Sequence, residues 1–504
     1  MENQSTKKSR WLQTRSFLLP VLIALLFFAF TFSYYPFREK LQYDTDEGLN
    51  LMRSMLVEMG HPLYSEVSSD QPPLFNQILA LAFRVTGFEV NVARAIVLLF
   101  STLLVWACAQ FLQLTWGKLA AILFLPLIIL TPRYLNLSVA VMIGIPSIAL
   151  AAVSMVLVVF WHKSRINLWL VLSGLFLALS VLIKLFTGFL VPIFLIGITA
   201  AVYLERPDRK FSWRIFKPAL IWSVSFAGLS ALLALILVGP RNLWLITYPH
   251  VMAPMQETFS SAEFTINYQI QLAIPLVMLG FTGVVFAFYK RNWLGLYPFA
   301  WALVAYIMLN FYSPVWSHHQ MLVTVPMAMM AAAGVSEGIH SLARIRSSSD
   351  LVRWRSLWGA GILAGFLFIS IHYAPALNQE LMNRPRLSGF QLRATPGKLK
   401  ILSAMHDHID QTHWIMTDLP IYAFRVGRPV PPSLATFSWK RLSTGSLTQD
   451  DILTAMRKYQ PEQVMIGRFD MPIIEDYIQK NYTEILSVEF LRLYLRNDLV
   501  SSTQ

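Results

Sequence analysis

Between Phe17 and Phe32 the chain carries no charged residue, and runs of that kind return along most of its length. A helix of roughly 20 residues is what it takes to cross about 30 Å of hydrocarbon, so such repetition leaves few folds open. The further runs extend from Val92 to Leu112, Lys118 to Arg133, Val141 to Trp161, Leu168 to Ile183, Phe189 to Leu204 and Ile215 to Val238. Others follow from Gln269 to Tyr289, Trp293 to Phe311, Gln320 to Ile339 and Leu357 to Ile371. The pattern predicts a polytopic α-helical membrane protein with about eleven transmembrane helices. With 55% hydrophobic and 14% charged residues, a soluble fold is excluded.

A net charge of +13 is the kind of excess that nucleic-acid binding requires, but here the basic residues fall in short connectors between apolar runs. They sit in His162–Arg165, Glu205–Arg214, Lys290–Asn292 and Arg344–Arg355, which the positive-inside rule places together on the cytoplasmic side. Lys7, Lys8, Arg10 and Arg15 put residues 1–16 inside as well, followed by an uncleaved anchor. The protein is therefore expected in the plasma (inner) membrane, with loop 36–73 on the outer face. Leu74 to Val85 is short and interrupted by Asn76, Gln77 and Arg84, and reads as interfacial or re-entrant. The single cysteine, Cys108, lies inside an apolar run and reads as a buried hydrophobe.

After Tyr373 the composition becomes that of ordinary soluble protein. A membrane domain over 17–375 is thus expected to give way to an extracytoplasmic α/β domain over 376–504. Helices are predicted over Leu399–Gln411 and Asp450–Tyr459, strands over His413–Thr417 and Gln463–Ile466, and a strand-rich tail over Glu484–Arg496. Asp418, at a strand end, reads as a turn former before a ligand contact. No internal repeat is evident.

The chemistry concentrates in the first outer loop, which reads Tyr43-Asp44-Thr45-Asp46-Glu47-Gly48, then Gly60-His61-Pro62-Leu63-Tyr64, then Ser69-Asp70-Gln71-Pro72-Pro73-Leu74. Carboxylates crowded and shielded raise one another's pKa, which suits one of Asp44, Asp46 and Glu47 to act as a general base toward a hydroxyl. The same acids also suit the N-terminus of a helix over Leu49–Met59, as cap and dipole partners, and both readings stay open. The two prolines after Gln71 hold the backbone extended and present Asp70 rigidly, or simply end the loop at the membrane.

Three further polar sites fall on the outer side. Lys184 lies in a tight turn between spans, where it either binds a phosphate or snorkels to headgroups. Tyr248 and His250 sit in the loop Gly239–Asn267, where His250 or Glu257 would position substrate or simply lie solvated. His318 and His319 open a late span and are suited to phosphate, metal or interfacial hydrogen bonds, although neighbours on a helix point apart and do not share one ion.

These motifs in this order, Tyr-x-x-Asp-Glu-Gly, Gly-His-Pro-Leu-Tyr and Gln-Pro-Pro-Leu after the first span, followed by many spans and an outer C-terminal domain, resemble the bacterial relatives of protein O-mannosyltransferases and lipid A aminoarabinose transferases. These are GT-C membrane glycosyltransferases, of glycosyltransferase family 39/83-like type. The resemblance implies transfer of a sugar from a polyprenyl-phosphate donor to a lipid, glycan or protein acceptor on the outer face. It implies Asp46 as general base with Glu47 beside it and Asp70 organising donor phosphate or a cation, and Lys184 and His318 resemble residues of related chains; alongside Lys184, His318 or His250 is expected near phosphate. It requires no cofactor, and leaves a divalent metal, with Asp70 as its ligand, open. Gln71 departs from relatives with lysine there, and Ser138–Pro146 lacks the carboxylate that many relatives carry in the next outer loop. Direct displacement would invert the anomeric centre. Two other classes stay in view: a transporter or flippase of a lipid-linked glycan, whose acids would couple to protons, and a non-catalytic assembly protein.

Overall fold

The computed structural model describes residues 15–204, 212–252, 259–343, 350–382 and 396–500, without the side chains of 15–16, 249–251 and 350–353. Among them, eight helices are long and apolar enough to cross a membrane, and each corresponds to an expected span. The other three expected spans form shorter apolar helices, Lys118–Leu130, Leu168–Ile183 and Leu294–Asn310. Gly144–Ser164 and Ser317–Ala343 form the centre of the bundle, each with 94% of its apolar window buried, whereas Trp213–Leu237 is only 6% buried and lies at the rim.

Lipid tails are as apolar as leucine, so contacts in the bundle depend on close approach and hydroxyl pairs. At Gly283 an added Cβ would stand 2.0 Å from the Met330 carbonyl oxygen, which lets the helices Ile274–Tyr289 and Met321–Ala343 meet backbone to backbone. The Ser154 and Ser173 hydroxyls lie 2.9 Å apart, and Trp222 Nε1 donates to Ser173 Oγ at 3.0 Å, stitching three helices together.

Two short helices pair in the first loop and just after it. Thr45–Glu58 buries Leu51, Met52, Met55 and Leu56, and Leu74–Thr86 packs along it. Leu74–Thr86 has 13 residues and is apolar apart from Asn76, Gln77, Arg84 and Thr86. Its polar interruption has a use: the buried Asn76 amide donates to Asn50 O at 3.1 Å and Ser54 Oγ at 2.9 Å.

The C-terminal region carries a four-stranded sheet of β1 (Ile415–Thr417), β2 (Gln463–Ile466), β3 (Tyr482–Val488) and β4 (Leu491–Arg496) in the order β1-β2-β4-β3. The β1–β2 pair is parallel and the others antiparallel. Strand alternation splits its core. Ile415, Met465 and Leu493 join one cluster with Leu51, Met52 and Leu56, while Met416, Val464 and Ile466 join another with the helices Gln449–Tyr459 and Pro472–Asn481. One sheet face therefore shares its core with the first-loop helices. Contact is closest at Gly48, where a Cβ would stand 2.8 Å from the Ile421 nitrogen of the helix Pro420–Arg425.

Candidate active site

Asp44 and Asp46 are neighbours with separate tasks. Asp44 has extended backbone and caps the Thr45–Glu58 helix, its Oδ1 accepting the Asp46 N–H at 3.1 Å. Asp46, in the first turn, lines a cavity of about 320 Å³, and among the described residues its carboxylate accepts no hydrogen bond. Burial, then the charge of Asp44, pushes its pKa up to about 6 against the pull of Arg53 and Lys184.

Glu47 turns the other way and does not line the cavity. Its carboxylate takes Arg94 Nε and Nη2 at 2.8 Å each, the Tyr43 N–H at 2.9 Å and the Val141 N–H at 3.3 Å, and neither member of the ion pair has any exposed side chain. The fork also reaches the carbonyls of Phe37 and Lys40. This pair ties the first loop to a span and to the segment before Gly144, which holds Asp46 in place.

Asp70 lines the cavity between two cations, with Lys440 Nζ 3.1 Å from Oδ2 and Arg53 Nη1 3.8 Å from Oδ1. Arg53 is set in turn by Asn50 Oδ1 at 2.8 Å and Ser69 Oγ at 3.0 Å. Burial opposes the charge on Lys440, yet the Asp70 carboxylate holds its pKa above the usual lysine value. A carboxylate so enclosed by protein cations does not fit a divalent ion, and no group of three His, Cys, Asp or Glu suited to one occurs among the described residues. Gln71 lines the cavity beside Asp70.

Lys184 ends the helix Leu168–Ile183 and also lines the cavity, its Nζ 5.2 Å from the Phe186 ring centroid. The turn is pinned from behind, since Ser180 Oγ donates to Thr187 Oγ1 at 2.8 Å and Thr187 Oγ1 donates to Lys184 O at 3.1 Å. Burial lowers the Lys184 pKa to about 8, with Asp46 opposing. His318 and His319 complete this wall with rings 4.4 Å apart at 76°. His319 Nδ1 accepts the Trp316 N–H at 3.1 Å, whereas His318 Nδ1 is buried without a hydrogen-bond partner among the described residues.

The structure thus gathers Asp44, Asp46, Asp70, Gln71, Lys184, His318 and His319 around one cavity. It does not gather Tyr248, which pairs with the Trp244 ring on the helix Leu243–Met252. The His250 and Glu257 side chains lie outside the described residues. The cavity adds residues that sequence reading missed: Arg53, Tyr312, Trp439, Lys440 and Arg468. In the segment Ser138–Pro146, which holds no carboxylate, Met142, Ile143 and Gly144 form part of the wall, and the Val141 carbonyl accepts from the Asn50 amide at 2.9 Å. Asp418 is a turn former: its Oδ2 accepts the N–H groups of Gly467, Arg468 and Phe469 at 3.3, 2.7 and 3.0 Å.

No family model matches the sequence, and no curated protein matches it. Solved structures do. ArnT from Cupriavidus metallidurans bound to undecaprenyl phosphate superposes with a TM-score of 0.57 at 12% identity, covering 95% of this chain and 97% of that one. The chain has the GT-C fold. The oligosaccharyltransferase of Archaeoglobus fulgidus, tethered to an acceptor peptide, is similar with a TM-score of 0.54 at 12% identity over 91% of this chain and 70% of that one. The archaeal oligosaccharyltransferase AglB from the same organism, in complex with an inhibitory peptide and a dolichol-phosphate, gives 0.54 at 12% over 97% and 75%. Identity at this level speaks for the GT-C fold alone.

Proposed function

We propose that this chain is an integral membrane glycosyltransferase that moves a sugar from a polyprenyl-phosphate carrier to a hydroxyl of a lipid, glycan or protein acceptor on the extracytoplasmic face. In this reading residues 17–375 form the membrane domain, loop 36–73 carries the base, and 376–504 lie outside with it. The observation that carries the proposal is the cavity itself, where the unbonded Asp46 carboxylate shares one space with Lys184, His318 and the Asp70–Lys440 pair. The fold neighbours include structures bound to undecaprenyl phosphate and to dolichol-phosphate.

In the step proposed, the acceptor O–H gives its proton to Asp46 while its oxygen bonds to the anomeric carbon. The bond from that carbon to the phosphate oxygen breaks, and the carrier leaves as a phosphate monoester with one more negative charge. A single displacement inverts the anomeric centre. In this scheme Lys184 and Lys440, both buried and lining the cavity, stabilise the charge that develops on the phosphate. Glu47 acts through its ion pair with Arg94, as a positioning residue. The acids lie on a loop helix rather than inside the spans, which disfavours a transporter built on midplane carboxylates.

The test is sugar transfer from a panel of radiolabelled polyprenyl-phosphate sugars by wild type and Asp46→Asn at equal folded expression. Transfer by wild type and its loss in the variant support the proposal, and equal transfer by both removes Asp46 as base.

A further inference from the structure

The transferase reading leaves two charged residues of the C-terminal region without a task, Asp418 and Arg468. β1 ends at Thr417 and β2 at Ile466, and because these strands are parallel their following turns emerge at the same edge of the sheet. Asp418, fully buried, uses one oxygen to hold three successive backbone N–H groups of 467–469. A carboxylate bonded to three amides fixes that backbone far more firmly than a solvated turn would. Gly467 lets the turn run close to its neighbour, since a Cβ there would stand 2.6 Å from the Phe490 carbonyl oxygen.

What the fixed turn presents is Arg468. Its side chain lines the cavity beside Asp46, with its Cζ 4.8 Å from the Phe469 ring centroid. Among the described residues no carboxylate lies within ion-pairing distance of its guanidinium, in contrast to Arg53, Arg94 and Lys440. A half-buried guanidinium facing a cavity, with five donors in a rigid fork and no anion on them, matches a phosphate's geometry. We propose that Arg468 is a phosphate-binding residue of this cavity, aimed by Asp418, so that the C-terminal region supplies part of the site for the prenyl-linked phosphate. The inference rests on the reading of the cavity as a prenyl-phosphate site. Asp418 is in this account a positioning residue, with no contact to the ligand.

Binding of farnesyl phosphate to the full chain in nanodiscs, followed by calorimetry, tests this apart from turnover. Wild type is expected to bind, and Arg468→Gln to bind about tenfold or more weakly, because a charge-assisted fork is lost. Asp418→Ala is expected to weaken binding similarly, Asp418→Asn, which keeps an oxygen acceptor, to recover most of it, and the double variant to add little to Arg468→Gln alone. Should Asp418→Ala fail to fold, Arg468→Gln decides, since its backbone bonds survive the change. Inorganic phosphate serves as a second probe. The same Arg468 dependence with it means that phosphate itself is recognised, and dependence only with farnesyl phosphate means the lipid-borne group; both support the assignment. Equal binding of farnesyl phosphate by wild type and Arg468→Gln overturns the inference and leaves the transferase reading standing. Absence of farnesyl phosphate binding by wild type overturns both.

Discussion

The first-loop helix Thr45–Glu58 and the C-terminal helix Trp439–Ser443 deliver charge to one cavity by opposite routes. On the first, acids are adjacent in sequence, and helix geometry separates them into a cap, a cavity-facing carboxylate and a buried anchor. On the second, Lys440 has no acidic neighbour in sequence and meets Asp70 only because the sheet packs its core against the first-loop helices. The carboxylate that faces the cavity is thus set locally, by spacing on one element, whereas the charges that balance it come from wherever the fold can bring them.

The largest effect is expected at Asp46. Asp46→Asn should lower sugar transfer by about 10²- to 10⁴-fold, the span of general-base contributions, with no change in thermal unfolding in detergent. Its neighbour should behave in the reverse manner. Glu47→Gln leaves Arg94 buried and short of a partner, and should cost about 3–5 kcal/mol of stability, read as a large drop in unfolding temperature. If the two variants gave the same phenotype, the division between cavity-facing and anchoring acids would be wrong.

Across the cavity, Lys440→Ala removes one of the two cations on Asp70 and should reduce transfer roughly 10- to 100-fold. Conservative Lys440→Arg should restore part of it. A smaller, graded effect is expected from pH. Asp46 must be deprotonated to accept a proton and Lys184 protonated to attract phosphate. Activity should therefore rise as pH passes about 6, fall as it passes about 8, and lose the alkaline limb in Lys184→Arg. At the bottom of the scale, Lys480→Ala removes an exposed pair with Asp476 and should shift stability by under about 0.5 kcal/mol.

Much of the first loop was legible because its signals are local. Pro72 and Pro73 stiffen the segment after Asp70, and the Asp-Glu-Gly run reads as acids at a helix start. Asp44 and Asp46 divide the two readings between them only because the helix boundary falls at Thr45, which makes Asp44 the cap. Gly48 had no meaning in the sequence beyond its motif, and its role follows from the approach of Ile421, far along the chain. Arg94 was hidden inside an apolar run, although a lone arginine there is itself a signal, since a charge at that depth needs a partner. The strands and two of the helices beyond residue 396 were legible from periodicity, but Pro420–Arg425, Trp439–Ser443 and Pro472–Asn481 were not, the first two being too short to show a helical period.

By itself, then, the sequence determined that the chain is a membrane-embedded helical bundle, that loop 36–73 holds its acids, and that a strand-and-helix region follows the last span. Each of these depends on hydrophobicity or spacing over neighbouring residues, which composition and period record directly. The tertiary structure alone decided that Glu47 anchors while Asp46 faces the cavity, that Asp70 is enclosed by Arg53 and Lys440, and that Arg468 is aimed by Asp418. Those outcomes depend on pairings between residues tens to hundreds of positions apart, and their energy comes from charges made strong by burial, a condition that exists only once the chain has closed around them.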